Sequence, residues 1–215
     1  MLPVGVYIHV PFCRRKCAYC DFVSYPAASA DPAAYVRAVK ADIARRGAAA
    51  ERKLTMTSLY VGGGTPTVLP VDGLVEILAA VRHCFVWPAG LEATVEANPE
   101  TVHPTALERL RRAGVNRISI GMQAAQDELL TVLGRGHRLD DVRKAVSVAR
   151  RAGFADLSLD LISGIPGQTP DDWRETLAAA LALEPEHVSA YSLEIPPGTA
   201  LFLRLQRGIL APAPE

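Results

Sequence analysis

The sequence predicts an α/β protein folded as an incomplete (β/α)6 barrel of the TIM type, one curved parallel sheet around a polar lumen. Three observations predict it. Short β-rich runs alternate with amphipathic helical runs along the chain, and strand–helix–strand alternation implies parallel strands joined by right-handed crossovers. The strands alternate polar and apolar residues, whereas strands buried on both faces of a parallel sheet read as continuous apolar runs. Six strand candidates are present, not the eight of a closed barrel whose interior is filled by branched side chains.

The strand candidates are residues 6–10, 58–61, 93–97, 117–122, 156–162 and 187–195. In the third, Val95 and Ala97 oppose Thr94, Glu96 and Asn98. In the fourth, Ile118, Ile120 and Met122 oppose Arg117, Ser119, Gly121 and Gln123. In the fifth, Leu157, Leu159 and Leu161 oppose Asp156, Ser158 and Asp160. Because side chains alternate faces along a strand, one face packs on helices and the other points into a shared polar interior. The first helix covers 32–46, with Asp31 as N-cap, Pro32 at the first helical position and a stripe of Val36, Val39 and Ile43. Leu74, Ile77, Leu78 and Val81 follow helical spacing in the second. Leu107 and Leu110 mark a third behind Pro104, and Val142, Val146 and Ala149 a fourth. Thr169 and Pro170 open a fifth, with Trp173, Leu177 and Leu181 on one face. Short helices are expected at 126–133 and 201–207. Arg111-Arg112-Ala113-Gly114-Val115 is echoed by Arg150-Arg151-Ala152-Gly153-Phe154. Each places basic residues at a helix C-terminus and a glycine at the left-handed cap before the next strand. Residues 1–195 form the barrel, and 196–215, starting Pro-Pro-Gly-Thr, read as the start of a C-terminal region.

Composition narrows the function. With 23 basic and 23 acidic residues the chain is neutral, which argues against nucleic-acid binding by bulk electrostatics. An apolar share of 49% with 21% charged residues suits a globular chain. No apolar run reaches about 18 residues, so no transmembrane helix is expected. The start MLPVGVYIHV lacks a basic n-region and a cleavage site, which points to the cytoplasm and to reduced thiols.

Cys13, Cys17 and Cys20 form C-x3-C-x2-C in the loop after the first strand. Three thiolates from one short loop need a metal or a cluster. Zinc commonly takes two C-x2-C pairs or histidine substitutes. His9 lies near, but no second pair exists. An iron–sulfur cluster commonly takes four cysteines, so three leave one iron open for chemistry. Cys84, at the end of the second helix, reads as a buried, inert thiol. His83, His103, His137 and His187 have no paired metal spacing and read as structural or surface residues. Gly62-Gly63-Gly64 after the second strand is either a tight turn or a close backbone approach to a ligand.

In YIHVPFCRRKCAYCDF, VGGGTPTVL, VEANPET, RISIGMQ, LGRGH, DLISGIPGQT and SAYSLEIPPGT, the chain resembles the radical S-adenosylmethionine (SAM) proteins. The resemblance is to the branch holding the oxygen-independent coproporphyrinogen oxidases and the HemW-type heme chaperones, and it covers essentially the whole chain. It implies a [4Fe–4S] cluster on Cys13, Cys17 and Cys20, with SAM on the open iron. It implies SAM contacts at Tyr7, Tyr19, Gly63, Gly64, Thr65 and Glu96. It further implies second-ligand positions at Gln123, Arg135, Asp160 and Glu194. Core packing is the alternative for Tyr7, and an Arg135–Asp160 ion pair is the alternative for that pair.

Two functions follow from the resemblance, a heme chaperone and a porphyrinogen oxidase. Oxidases of the branch continue with a further cysteine two positions after the third and carry an N-terminal arm. This sequence reads Cys20-Asp21-Phe22 and begins at the first strand, as in the HemW-like group. Heme and heme-acceptor proteins are the implied partners, with heme bound through a C-terminal region. Arg14, Arg15 and Lys16 offer a basic landing for an acidic donor of the flavodoxin type.

Overall fold

The computed structural model describes residues 3–29, 31–49 and 53–213; the first two and last two residues of the chain, within the barrel and tail segments named above, lie outside them. In chain order the elements are β1 (Pro3–Val10), β2 (Phe12–Cys13), β3 (Tyr25–Pro26), α1 (Pro32–Ala48), β4 (Thr55–Gly63) and α2 (Val71–Cys84). Then come β5 (Glu92–Ala97), α3 (Pro104–Arg112), β6 (Arg117–Gln123), α4 (Asp127–Val132) and α5 (Leu139–Arg151). β7 (Asp156–Ser163), α6 (Pro170–Leu181), β8 (His187–Ser192) and α7 (Ala200–Gln206) complete the chain.

Six strands form one sheet in the order β1-β4-β5-β6-β7-β8, every pair parallel. Sequential strands are spatial neighbours throughout, and the sheet curls into a half-barrel, the partial TIM barrel that the alternation predicts. Register aligns the polar parity across strands: Glu96 faces Ser119, Ser119 faces Ser158, and Asp160 faces Ser189. The opposite face carries Leu59, Val95, Ile118, Ile120, Leu157 and Leu159, all at most 2% exposed. They pack on Ile77, Val81, Leu107 and Leu110 from α2 and α3, each side chain contributing roughly 1.5–3 kcal/mol by burial.

The helix caps follow their sequence signals. Asp31 accepts from Ala34 N at 2.9 Å and Thr169 from Asp172 N at 3.1 Å. Gly114 and Gly153 adopt φ of +104° and +88°. The echoed arginines have a second role: Arg111 Nη1 donates to Val115 O at 2.9 Å and Arg150 Nη1 to Phe154 O at 3.2 Å. Each clamps the start of the next strand.

Three differences stand out. β8 ends at Ser192 rather than 195. Leu193 N still bonds Ser163 O at 2.8 Å, but Pro196 and Pro197 have no N–H with which to extend the ladder. On α6 the deeply buried residues are Thr176 and Ala180, while Leu181 is 63% exposed. Small residues turn inward because Thr176 Oγ1 accepts from Ala125 N and donates to Gln126 Oε1, both at 3.1 Å. Finally, β2 and β3 form a small parallel pair of their own within the cysteine-bearing loop.

Candidate functional site

A cavity of about 710 Å³ opens at the C-terminal ends of the strands, where the connecting loops of a (β/α) barrel converge. Cys13, Cys17 and Cys20 line it, together with Tyr19 from the same loop. Gly63, Gly64 and Thr65 line it after β4, and Glu96 at the end of β5. Gln123, Arg135, Asp160 and Glu194 complete the lining, Arg135 directly beside Cys17.

The cysteine loop is held from three sides. Ala18 N bonds Leu133 O at 2.8 Å, and Ala18 O accepts from Leu201 N at 2.7 Å. Thr65 N bonds Phe12 O at 2.8 Å. Gly134 lets α4 come this close, since a Cβ there would lie 3.0 Å from Ala18 N. Arg14, Arg15 and Lys16 stay exposed, Arg15 and Lys16 at the rim of the cavity. Two of them still brace the loop, Arg14 Nη1 on Glu100 O at 3.0 Å and Lys16 Nζ on Phe22 O at 3.3 Å.

The sulfur surroundings are rich in donors. Thr65 Oγ1 lies 3.8 Å from Cys13 Sγ, and Arg135 Nη1 donates to Cys17 Sγ at 3.3 Å. Burial pushes the Cys20 thiol up, so a free thiolate there is disfavoured until a cation stabilises it. Among the described residues no three such ligands close on a single ion. Three soft thiolates around an open space fit a multi-iron cluster with one iron facing the cavity. His9 does not join them: its ring nitrogens are engaged by Tyr7 Oη at 3.1 Å and Val23 O at 2.9 Å.

Glu96 is fixed by two donors. Tyr60 Oη donates to Oε1 at 2.7 Å and Gly63 N to Oε2 at 3.0 Å. Burial raises its pKa, and these two hydrogen bonds partly oppose the rise. Gly62 permits the arrangement, because a Cβ there would lie 2.9 Å from the Glu96 carboxylate. Asp160 accepts from Ser119 Oγ at 2.9 and 3.0 Å. Its pKa is also raised by burial, against the hydrogen bonds of Ser119 and Ser189.

Gln123 sits at φ +68°, a left-handed conformation uncommon outside glycine, where the β6–β7 register shifts. The bulge brings its side chain beneath Gly121, whose missing Cβ would lie 2.7 Å from Gln123 Nε2 and 2.9 Å from Arg135 Nη2. Arg135 does not pair with Asp160. Its Nη2 donates to Asn98 Oδ1 at 2.6 Å and Gly121 O at 3.0 Å. Desolvation works against its charge, but Cys17 and Tyr19 outweigh it and the pKa rises.

Tyr7 lies outside the cavity wall and is 58% exposed, so it is not a core residue. It stacks on Tyr60, ring centroids 6.1 Å apart, and reaches Glu96 only through that ring. Cys84 is half-buried against Gly47, remote from the cavity. His137 is buried with Nε2 on Met122 O at 3.0 Å, its pKa pushed down to about 4 by burial and Arg135. His187 bonds Ser158 Oγ through Nδ1 at 2.9 Å. Sequence reasoning missed Tyr60 and Ser119 as partners of the two carboxylates. It also missed Asn98, which donates to Thr65 Oγ1 at 3.0 Å. Strand parity marked Ser119 and Asn98 as inward, but nothing in the pattern singled out Tyr60.

Residues 7–180 match the sequence profile of the Radical SAM superfamily. The chain is 38% identical over its full length to the heme chaperone HemW of Synechocystis sp., of which it covers 53%. It is 40% identical over 99% of its length to the heme chaperone HemW of Mycobacterium tuberculosis, covering 55% of that protein. Among solved structures, the radical SAM enzyme coproporphyrinogen III oxidase (HemN) from Escherichia coli superposes with a TM-score of 0.87 at 28% identity. That match covers 97% of this chain and 48% of the oxidase. The chain thus spans about half the length of the curated relatives it matches.

Proposed function

The chain belongs to the radical SAM superfamily and is HemW/HemN-like, and from that premise we propose that it carries the cluster- and SAM-binding barrel of a HemW-like heme chaperone. The observation that supports this most directly is the single cavity lined by Cys13, Cys17 and Cys20 together with Glu96 and the Gly63–Gly64–Thr65 turn. Cys13, Cys17 and Cys20 would hold a [4Fe–4S] cluster, which when bound would supply the electron for reductive cleavage of SAM. The protein's own residues do the rest. Gly64 N bonds Val10 O at 2.8 Å, which fixes the turn, and Gly63 and Gly64 carry no side chain to keep a methionyl group away. Glu96, oriented by Tyr60 and Gly63, presents its carboxylate edge for ribose hydroxyls. Tyr19 offers an aromatic wall for adenine, and its hydroxyl stays protonated because burial raises its pKa.

Gln123, Arg135, Asp160 and Glu194 line the same cavity, and there a second ligand would lie. Residues 1–195 would be the barrel and 196–215 the start of a C-terminal region. Heme would bind through that region in the longer protein, which would deliver it to acceptor proteins in the cytoplasm. Among the described residues no helix is long and apolar enough to cross a membrane. An acidic electron donor would dock on Arg14, Arg15 and Lys16, which are exposed on the cluster loop.

The oxidase reading is favoured by the superposition on coproporphyrinogen III oxidase. Against it stands Cys20-Asp21-Phe22, where the oxidases resembled here carry a further cysteine. Asp21 and Phe22 line the cavity mouth, so the difference falls where a substrate would enter. The deciding experiment uses a chain extended to the length of its relatives and reconstituted anaerobically. It is incubated with coproporphyrinogen III, SAM and a low-potential reductant, and titrated in parallel with heme at the Soret band. Saturable heme binding without protoporphyrinogen supports the chaperone, and turnover overturns it in favour of the oxidase.

A further inference from the structure

Arg135 brings a positive charge into the cavity wall with no carboxylate in direct contact, the Glu100 charge acting on it only from a distance. Its Nη2 is spent on two neutral acceptors, Asn98 Oδ1 at 2.6 Å and Gly121 O at 3.0 Å. Among the described residues it takes part in no ion pair: Asp160 is engaged by Ser119, and the Glu100 carboxylate approaches Gly136 instead, 2.7 Å from where a Cβ would stand. A cation withdrawn from water is costly unless an anion faces it. The ionisable group that its free arm touches is Cys17 Sγ, 3.3 Å from Nη1.

We propose that Arg135 is a positioning residue for the cluster's electron chemistry: its guanidinium donates an N–H···S bond to the Cys17 thiolate and raises the cluster's reduction potential. The proposal rests on the reading that Cys13, Cys17 and Cys20 hold a [4Fe–4S] cluster. Reduction adds one electron, and so one negative charge, to a group already bearing thiolates. A fixed positive charge and a hydrogen bond at a ligating sulfur stabilise the reduced state more than the oxidised one. Asn98 and Gly121 O hold the planar fork from behind, so its orientation is set by β5 and β6 rather than by the cluster. Gly121 is part of the device, since a Cβ there would lie 2.9 Å from Nη2. The role differs from ligand binding, because it acts with the cavity empty of SAM.

Two measurements test it. Anaerobically reconstituted wild type, Arg135→Gln and Arg135→Lys are compared by iron content and visible absorbance, then titrated with a reductant under EPR detection, without SAM. The expected result is a lower midpoint for Arg135→Gln, by at least tenfold in the reduction equilibrium, or about 59 mV for one electron. Arg135→Lys, which keeps the charge but not the fork, should fall between the two. Equal midpoints at equal iron loading overturn the proposal. The second measurement is made on the reduced wild type grown with 15N-arginine. A weak 15N hyperfine coupling is expected in its pulsed EPR spectrum and should vanish in Arg135→Lys. Its absence from the wild type overturns the proposal even if Arg135→Gln takes up no iron. A wild type that itself takes up no iron ends the cluster reading, and this proposal with it; a loaded wild type lacking the coupling ends this proposal alone.

Discussion

The Tyr60 hydroxyl stands 2.7 Å from Glu96 Oε1, and this bond links the two strands β4 and β5 at the floor of the cavity. Tyr60 gives Glu96 a fixed orientation at the cost of one acceptor site. The remaining lone pairs face the space where a ribose would sit. Losing a charge-assisted hydrogen bond costs about 1.5–3 kcal/mol, so Glu96→Gln should weaken SAM binding roughly 10- to 150-fold. Tyr60→Phe removes only the orienting bond, worth about 0.5–1.5 kcal/mol, and should weaken it roughly 2- to 12-fold. Wild-type affinity should also fall on acidification, beginning at a higher pH than an ordinary glutamate would give, because burial raises the Glu96 pKa. Calorimetry on reconstituted protein across pH is the check; a wild-type profile parallel to that of Glu96→Gln would contradict it.

The four cysteines divide by place. Three line the cavity, and Cys84 packs at the α1–α2 contact, where a Cβ on Gly47 would lie 2.8 Å from its own Cβ. Each of Cys13→Ala, Cys17→Ala and Cys20→Ala should lose most of the iron and visible absorbance after anaerobic reconstitution. Cys84→Ala should retain both and lose roughly 1 kcal/mol of stability by deletion of a half-buried sulfur. Comparable iron loss in Cys84→Ala would sink the assignment.

How much of this was legible beforehand can be argued from particular residues. Asp31, Thr169, Gly114 and Gly153 declared the helix ends because capping chemistry is local. The inward parity of Glu96, Ser119 and Asp160 was legible because a strand has period 2 and one face must be apolar. The C-x3-C-x2-C loop was legible as a metal motif, and its assignment to a cluster came from resemblance. What sequence could not supply was pairing between elements. That Arg135 turns to Cys17 and Asn98 rather than Asp160 depends on the bulge at Gln123, and no local pattern encodes it. For Tyr7 parity gives a face, not a depth; it lies on the outermost strand, β1, and its exposure excludes only the core-packing alternative. Nor did the pattern show that Leu201, fully buried, docks back on the cysteine loop through Ala18.

Asp160 gives a pH-dependent prediction of stability. Its folded pKa is raised, chiefly by burial, so the folded state binds its proton more tightly than the unfolded state. Stability then declines as pH rises from the ordinary aspartate range through the raised folded value. Above that window the buried charge is a net cost. Asp160→Asn removes the charge and keeps an oxygen to accept from Ser119. The variant should therefore melt above wild type near pH 8, and the advantage should shrink toward pH 4 as wild-type Asp160 protonates. Thermal melts of the cluster-free protein at both pH values are the measurement. An advantage that grows on acidification would show that the carboxylate stabilises the fold.

Gly64 concentrates three demands at one atom. Its N–H bonds Val10 O at 2.8 Å, tying the turn after β4 to the end of β1. A Cβ added to it would lie 2.7 Å from Phe12 O and 3.0 Å from Cys13 Sγ. Both contacts are closer than carbon normally tolerates, and the first is to backbone, which cannot rotate away. Phe12 also anchors the cysteine loop, since its carbonyl accepts from Thr65 N at 2.8 Å. Gly64→Ala should therefore push Phe12 and Cys13 away from the turn. Overpacking of this kind costs typically about 1–3 kcal/mol. The larger consequence should be local: a displaced Cys13 sulfur lowers iron uptake, and the added methyl narrows the wall where the methionyl group would lie. Gly90 provides the control, because a Cβ there meets no atom within 4 Å, although its φ of +77° strains any replacement. Gly90→Asn tolerates that conformation better than alanine would and should leave iron content unchanged. Iron analysis and SAM calorimetry on the two variants make the comparison; normal iron and normal SAM affinity in Gly64→Ala would show that the turn neither shapes the cluster loop nor approaches the ligand.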